Sequence, residues 1–430
     1  MIYVALAIFI LSYFLLIFRK IRGRSFPIWI SMVFGATLSV ATLSITPLEA
    51  FEAIDFRVLA FLFGMLVITA GFEKSGLIEF LVLWLMRRAP NVDRVLFYII
   101  FGSGLLSAFL LNDTIALMLT PLAIGISTKL GLGSPKSLLI PLALGITTGS
   151  VFTPIGNPQN LLVALDSGIT RPFSQFVYYL ILPTIVSLGV VYYLSKLFFR
   201  KEFGTPDSLR NLKQSLPEPR TAISDSYLAK LSIGILLALI LSFGIVEAYP
   251  ALQSLGVNLY TLAFSFGIVL LALTPRRLFM LAEINWGVLI FFAGMFVLMR
   301  AVWDSGIGPI FLSALPKPNP AMQVQSTGAI ILNSVVLSQI LSNVPFVQLY
   351  SYEMTALGFT GSYPIAWLAL AAGSTLAGNL TILGAVSNVI IVDSSESRNS
   401  KTFSFMEFFK YGTIVTILTC LIYFAFLSFS

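Results

Sequence analysis

The chain has 430 residues, of which 57% are hydrophobic and 10% charged, and its mean hydropathy of +0.93 excludes a water-soluble globule of ordinary composition. It carries no histidine and a single cysteine, Cys420, inside the last apolar run. Imidazole or thiolate metal sites and a cysteine–histidine nucleophile are therefore excluded, and any ligand must be held by oxygen, amide and carboxylate groups.

Apolar runs long enough for about 30 Å of hydrocarbon recur along almost the whole chain, which predicts an all-α polytopic membrane protein rather than a barrel. Crossings are expected near residues 2–18, 26–46, 54–71, 138–165, 174–199, 227–248, 257–274, 283–300, 364–392 and 405–429, about ten in all. The first is followed, not preceded, by basic residues (RKIRGR), unlike a cleaved signal peptide. LIEFLVLWLMRR, residues 77–88, is too short to cross and reads as an interfacial arm. Residues 92–128 and 325–358 each hold two apolar arms, meeting at LLNDT and ILSNVP. The returning arms run to about fifteen residues, short of the roughly 20 needed to span, so both regions are expected to be re-entrant hairpins. Residues 200–226, polar and proline-bearing, read as a linker.

Short cytoplasmic loops of membrane proteins carry an excess of lysine and arginine. With both termini outside, only Arg57, Arg171, Arg300 and Lys317 of the 26 basic residues fall on the outer side, and the reverse orientation inverts that count. The net charge of +7 thus reflects topology and requires no nucleic-acid partner.

The two halves resemble each other. DFRVLAFLFGM from Asp55 reads against NWGVLIFFAGM from Asn285, Ser75-Gly76 against Ser305-Gly306, Asn112 against Asn343, and TPIGNPQN from Thr153 against TILGAVSN from Thr381. Four domains follow: residues 1–25, an N-terminal helix and basic loop; 26–199, a first repeat; 200–256, linker and connecting helix; and 257–430, a second repeat. Two crossings precede Asp55 and seven precede Glu283, so the repeats are expected to be inverted. Inverted repeats with interrupted helices are characteristic of secondary transporters, whose ligand sites lie between corresponding breaks.

TPIGNPQN packs two prolines, a glycine and two asparagines between apolar runs. Breaking a helix at depth frees backbone groups, and half-helix N-termini offer donors to an anion while carbonyl ends suit Na⁺. The candidate ligand residues are Asn112, Asp113 and Thr114 at the first hairpin tip and Thr153, Gly156, Asn157 and Asn160 at the first break. Ser342 and Asn343 at the second tip and Asn379, Thr381, Gly384, Ser387 and Asn388 at the second break complete the set. Asn157 and Asn160 are expected to face the first tip. A Na⁺ would sit near Asn112, Asp113, Gly156, Asn343 and Gly384, and Asp113 is the candidate H⁺ or Na⁺ coupling group, since an ionisable residue at depth is costly. The plainer alternatives are a proline kink at TPIGNPQN, an N-cap role for Asp113, a surface ion pair between Arg300 and Asp304, and helix packing at the glycines of 102–104 and 145–149.

GNPQN in the first break, GNLTILGAVSN (Gly378 to Asn388) in the second, and the tips LNDT and SN resemble the ion transporter superfamily. Within it they are closest to the branch of arsenite-efflux membrane subunits, NhaD-type sodium/proton antiporters and citrate-transporter-like anion transporters. The resemblance runs from about residue 26 to the end and implies a homodimeric elevator, with two hairpins and two broken helices moving against a scaffold. Dicarboxylate members carry Ser-Asn-Thr at each tip, where this chain has Asn112-Asp113-Thr114 and Ser342-Asn343-Val344. Asp113 also repels a dianion.

These features predict a plasma-membrane secondary transporter, not an enzyme, that moves a small inorganic or organic anion or a neutral oxyacid with H⁺ or Na⁺ and has no other cofactor. A sodium/proton antiporter with Asp113 as its cation site is the alternative. A channel fits capped hairpins poorly, and a protease lacks its catalytic inventory.

Overall fold

The structure, a computed structural model, describes residues 2–17, 20–21, 24–25, 27–203, 213–313, 315–398, 400 and 402–430. Part of RKIRGR and residues 204–212 of the linker lie outside the described residues; Lys20–Ile21 pairs antiparallel with Arg24–Ser25. The first half runs α1 (Ile2–Ile17), α2 (Ile28–Ala41), α3 (Pro47–Ala53), α4 (Phe56–Lys74), α5 (Leu77–Arg88), α6 (Val92–Phe97), a π-helical turn (Tyr98–Gly102), α7 (Ser103–Phe109), α8 (Asn112–Lys129), α9 (Lys136–Gly149), α10 (Pro158–Asp166) and α11 (Pro172–Phe198). The second runs α12 (Ser226–Ala248), α13 (Pro250–Ser254), α14 (Leu259–Leu273), α15 (Arg277–Glu283), α16 (Trp286–Asp304), α17 (Ile307–Ser313), α18 (Gln323–Leu341), α19 (Asn343–Ala356), α20 (Pro364–Ala377), α21 (Val386–Glu396) and α22 (Phe405–Ser428). Seven helical stretches among these are long and apolar enough to cross a membrane.

The repeat seen in the sequence is a repeat of contacts. α4 packs on α14 as α16 packs on α2, the second-hairpin arm α19 meets α10 as the first-hairpin arm α8 meets α21, and α9 and α20 pair with α7 and α18. The correspondence extends to α1 and α12, which pack on α2 and α14 in the same way, so the packing carries the repeat one helix beyond the residue-26 start. Local rules recur with it: Ser75 and Ser305 cap α4 and α16, and Gly76 and Gly306 follow at φ +75 and +82, a left-handed conformation that a side chain resists.

Ion pairs locate the hairpins on opposite sides. Lys196 at the end of α11 meets Asp93 at the open end of the first hairpin at 2.6 Å, and Lys129 at its other end bonds to the Ser215 carbonyl. Lys74 pairs with Glu283 on this same basic side, where Ser224 bonds to the Lys74 carbonyl. Arg57 at the start of α4 instead reaches Asp166 at the end of α10, and the outer half of α19 lines the same opening. The two hairpins therefore enter from opposite ends of α4.

Several elements depart from the sequence expectation. The returning arm α8 has 18 residues, longer than expected, although it still turns back at Leu110, which is extended (φ −129). The short helices α3, α15 and α17 were not anticipated; α3 is fixed by a Thr46–Glu49 capping box. Arg300 and Asp304 do form the exposed i,i+4 pair, at 2.6 Å. Gly104, Gly145 and Gly149 are packing glycines, a Cβ at Gly149 standing 2.2 Å from Gly104 Cα, whereas a Cβ at Gly102 would meet only Leu85 Cδ1, at 3.6 Å.

Three positions set testable constraints. A Cβ on Gly64 would lie 2.0 Å from the Ala263 carbonyl oxygen, so Gly64→Ala must separate α4 from α14 and should cost about 1–3 kcal/mol in detergent unfolding. Gly125→Ala, in α8 with nothing within 4 Å, should be neutral or stabilising by up to about 1 kcal/mol. Ser342, between α18 and α19, sits at φ +62, ψ 159, a region essentially reserved for glycine. Ser342→Gly should therefore raise stability by about 1 kcal/mol, and Ser342→Ala should not.

Candidate functional site

The first break replaces regular helix between Gly149 and Pro158 by a 3₁₀ turn (Ser150–Phe152) and an extended segment with Thr153 at φ −133 and Asn157 at φ −150. Backbone carbonyls freed there find side-chain donors: Asn160 Nδ2 bonds to the carbonyls of Ser150, Val151 and Thr153 at 3.1, 3.0 and 3.0 Å, and Asn157 Nδ2 reaches the Ser150 carbonyl at 3.4 Å. Thr153 Oγ1 accepts from the Ile155 and Gly156 amides at 3.2 Å and donates to the Ala108 carbonyl in the first hairpin. Gly156 presses on that hairpin; a Cβ would come within 2.4 Å of the Ser107 carbonyl. Asn157 caps α10 by accepting from the Asn160 amide at 2.9 Å, with Pro158 at the first helical position, where its missing N–H has no cost.

The second break repeats this plan without prolines. Asn388 Nδ2 donates to the Gly378 and Thr381 carbonyls at 2.7 and 3.3 Å, and Thr381 Oγ1 accepts from the Gly384 amide at 3.0 Å. Thr381 Oγ1 donates at 2.8 Å to Gln339 of the second hairpin, where the first repeat uses a backbone carbonyl. Four bonds then tie the breaks together: Asn379 Nδ2 donates to Thr148 Oγ1 at 3.0 Å, and Thr375 Oγ1 donates to Asn160 Oδ1 at 3.0 Å while accepting from Asn157 Nδ2 and Gln159 Nε2 at 3.3 and 3.5 Å.

A cavity of about 80 Å³ lies where both hairpin tips meet both breaks. Asn112 and Asp113, Asn157 with Pro158 and Gln159, Ser342 and Asn343, and Ala385 to Ser387 line one side; Ile28 of α2 and Val288, Phe291 and Phe292 of α16 close the other. Ser150 Oγ is the joint on the first-repeat side, accepting from both Asn112 Nδ2 and Asn157 Nδ2 at 3.0 Å. The carbonyl oxygens of the Asn112 and Asn343 side chains are buried without a protein partner. Among the described residues Asp113 is the only charged side chain lining the cavity, and it makes no capping bond, Leu111 being the N-cap of α8.

Six of the fourteen candidates therefore line one cavity: Asn112, Asp113, Asn157, Ser342, Asn343 and Ser387. Thr153, Gly156, Asn160, Asn379, Thr381, Gly384 and Asn388 are buried behind it and hold the breaks in shape, so Asn160 does not face the first tip as expected. Thr114, one residue beyond Asp113, is not among the lining residues. Sequence reasoning missed Gln159, Ser150 and Thr375. Gln159 stood within the quoted motif, but the serine and threonine lie in apolar runs with nothing local to mark them.

The family model described as "Citrate transporter" matches residues 13–376. An uncharacterized transporter of Mycobacterium tuberculosis is 27% identical over 97% of this chain and 95% of its own length. The silicon efflux transporter LSI3 of Oryza sativa subsp. japonica is 25% identical over 89% of each chain. The arsenical pump membrane protein of Escherichia coli is 23% identical over 96% of this chain and 95% of its own. Among solved structures, MtrF of Neisseria gonorrhoeae, from a class of antimetabolite efflux pumps, superposes with a TM-score of 0.57 at 14% identity, covering 99% and 94% of the two chains, a likeness of fold. With a family model matched along most of its length and one cavity shared by two hairpin tips and two helix breaks, the chain is an integral membrane transporter belonging to the citrate transporter family.

Proposed function

We infer that the protein is a secondary active transporter in the plasma membrane, with both termini outside, that moves a small oxyacid-like solute coupled to H⁺ or Na⁺. The observation that carries this reading is the meeting of both tips and both breaks at one cavity, an arrangement suited to alternating access. The lining offers amides, hydroxyls and one carboxylate, with no lysine or arginine. A neutral hydroxide of the silicic or arsenious acid kind needs only such donors and acceptors, and the named functions of the rice and E. coli relatives agree with it. A citrate-like trianion would meet the Asp113 carboxylate with no counter-charge beside it, unless a bound cation came with it.

The residues fit a monovalent coupling ion. Unpartnered amide oxygens on Asn112 and Asn343 face the cavity that Asp113 lines, and a Na⁺ or a proton held there would be bound by side chains of both tips. On this reading the hairpins and broken helices form the moving unit of a homodimeric elevator, and α2, α4, α14 and α16 belong to the scaffold. The alternative, sodium/proton antiport, is favoured by one observation: the only ionisable side chain in the cavity is Asp113.

In proteoliposomes carrying a Na⁺ or H⁺ gradient, silicic or arsenious acid should enter saturably and only while the gradient lasts. Sodium-driven proton flux with no added solute would instead establish antiport. Asp113→Asn should cut gradient-driven flux about tenfold or more while leaving the melting temperature nearly unchanged, because the carboxylate supports no capping bond. Asn160→Ala should behave oppositely: the Val151 and Thr153 carbonyls lose their side-chain donor at depth, the Ser150 carbonyl keeps only Asn157, and unfolding should become easier by about 3 kcal/mol.

A further inference from the structure

A crevice of about 180 Å³ opens away from the transport cavity, between α5, both arms of the first hairpin and α9. Its walls are almost wholly apolar, from Leu81 and Leu85 of α5 to Leu106, Leu119 and Leu142, and Ser103 turns its hydroxyl back to the Ile100 carbonyl. The crevice is open to the outside of the molecule, with Leu105 58% and Trp84 39% exposed at its mouth. The π-helical turn Tyr98–Gly102 forms part of the wall and leaves it unfilled, for a Cβ on Gly102 would find only Leu85 Cδ1, at 3.6 Å. Such single π turns are enriched at functional positions.

One end of this slot is cationic. The Arg88 guanidinium lies 3.7 Å from the centre of the Trp84 ring, and among the described residues no carboxylate pairs with it. Arg87 beside it donates to the Leu216 carbonyl at 3.0 Å, and Arg94 follows in α6, exposed. A charged end at the membrane surface continuous with an apolar slot along the hairpin arms has the chemistry of a two-part ligand, anionic at one end and hydrocarbon at the other.

We propose that this crevice is a binding site for one anionic phospholipid from the leaflet on the basic side, with its phosphate on Arg88 and one acyl chain laid between α5 and the first hairpin. A guanidinium that pairs with no carboxylate among the described residues, stacked on an aromatic ring at headgroup level, is satisfied by the phosphate. The acyl chain covers Leu105 and Trp84, which the protein leaves exposed. The site is separate from the transport cavity, so its occupancy bears on how the hairpin rests against α5 and not on solute chemistry.

The test is native mass spectrometry of the full-length protein taken from bilayers of equal phosphatidylglycerol and phosphatidylcholine, with melting temperature measured in parallel as each lipid is added. The wild-type protein should retain one phosphatidylglycerol in preference to phosphatidylcholine and melt higher with it. Arg88→Gln, at an exposed position, should weaken that retention about fivefold. Gly102→Leu should exclude the lipid by filling the slot, while its melting temperature without lipid stays the same or rises. Equal retention of the two lipids, or unchanged retention in Arg88→Gln, would mean ordinary annular lipid and would overturn the proposal. So would equal retention of a free fatty acid.

Discussion

The structure depends on satisfying backbone at a depth where no bulk water reaches it. An unpaired buried peptide group costs on the order of 1–3 kcal/mol, and more in hydrocarbon, so two helices interrupted inside the protein would be prohibitive without local donors. Asn160 and Asn388 supply them, each turning its amide nitrogen onto the carbonyls just ahead of its own half-helix. Having spent their donors inward, these side chains have little left for a ligand. The groups that remain for the cavity are those one turn earlier or across the gap: Asn157 and Gln159, Ser387, and the two tips.

The two half-sites share this plan and differ in detail. In the first, Asn160 Oδ1 accepts from Thr375 Oγ1, and Asn157 caps the following helix. In the second, the corresponding position is Ala385, which offers no cap, and the atoms that would make the matching bond, Thr147 Oγ1 and Asn388 Oδ1, are both buried without partners. The first break is thus internally closed, with prolines, cap and threonine all satisfied. The second keeps unspent acceptor capacity. Symmetry of sequence sets the frame of the site, and its departures decide which half keeps unspent lone pairs.

Much of this was legible in the sequence because membrane insertion leaves few ways to fold an apolar run. Both hairpins, both breaks and the matched Ser-Gly pairs follow from hydropathy, turn chemistry and an offset of about 230 residues; of the ten crossings expected, only five coincide with stretches long and apolar enough to span, the other two such stretches being first arms of the hairpins. The site was legible only as a neighbourhood. TPIGNPQN announces a break, but whether Asn157 or Asn160 faces the ligand depends on which carbonyls the broken strand presents, a matter of φ and ψ at Thr153 and Asn157 that no spacing rule encodes. Ser150 and Thr375 come from apolar runs and become polar joints only when hairpin and helix are brought together. The short helices α3 and α15 escaped notice because seven residues carry too little periodicity to read.

A vestibule of about 580 Å³ opens on the side of Asp55, Arg57 and Asp166, and α19 presents Gln348, Ser351 and Thr355 to it along one face. Phe296 forms part of its lining and Phe292, one turn away on α16, lines the cavity, their ring centres 6.2 Å apart. Two buried rings thus stand between solvent and site. The only ion pair across that opening joins α4 to α10 among the described residues, from Arg57 to Asp166 at 2.9 Å, while Arg57 also holds Asp55 at 2.6 Å on its own helix. With Arg57 45% exposed, the link contributes at most about 1 kcal/mol, and breaking it leaves the guanidinium paired with Asp55. Separation of α10 from α4 on this side is therefore hardly opposed by charge.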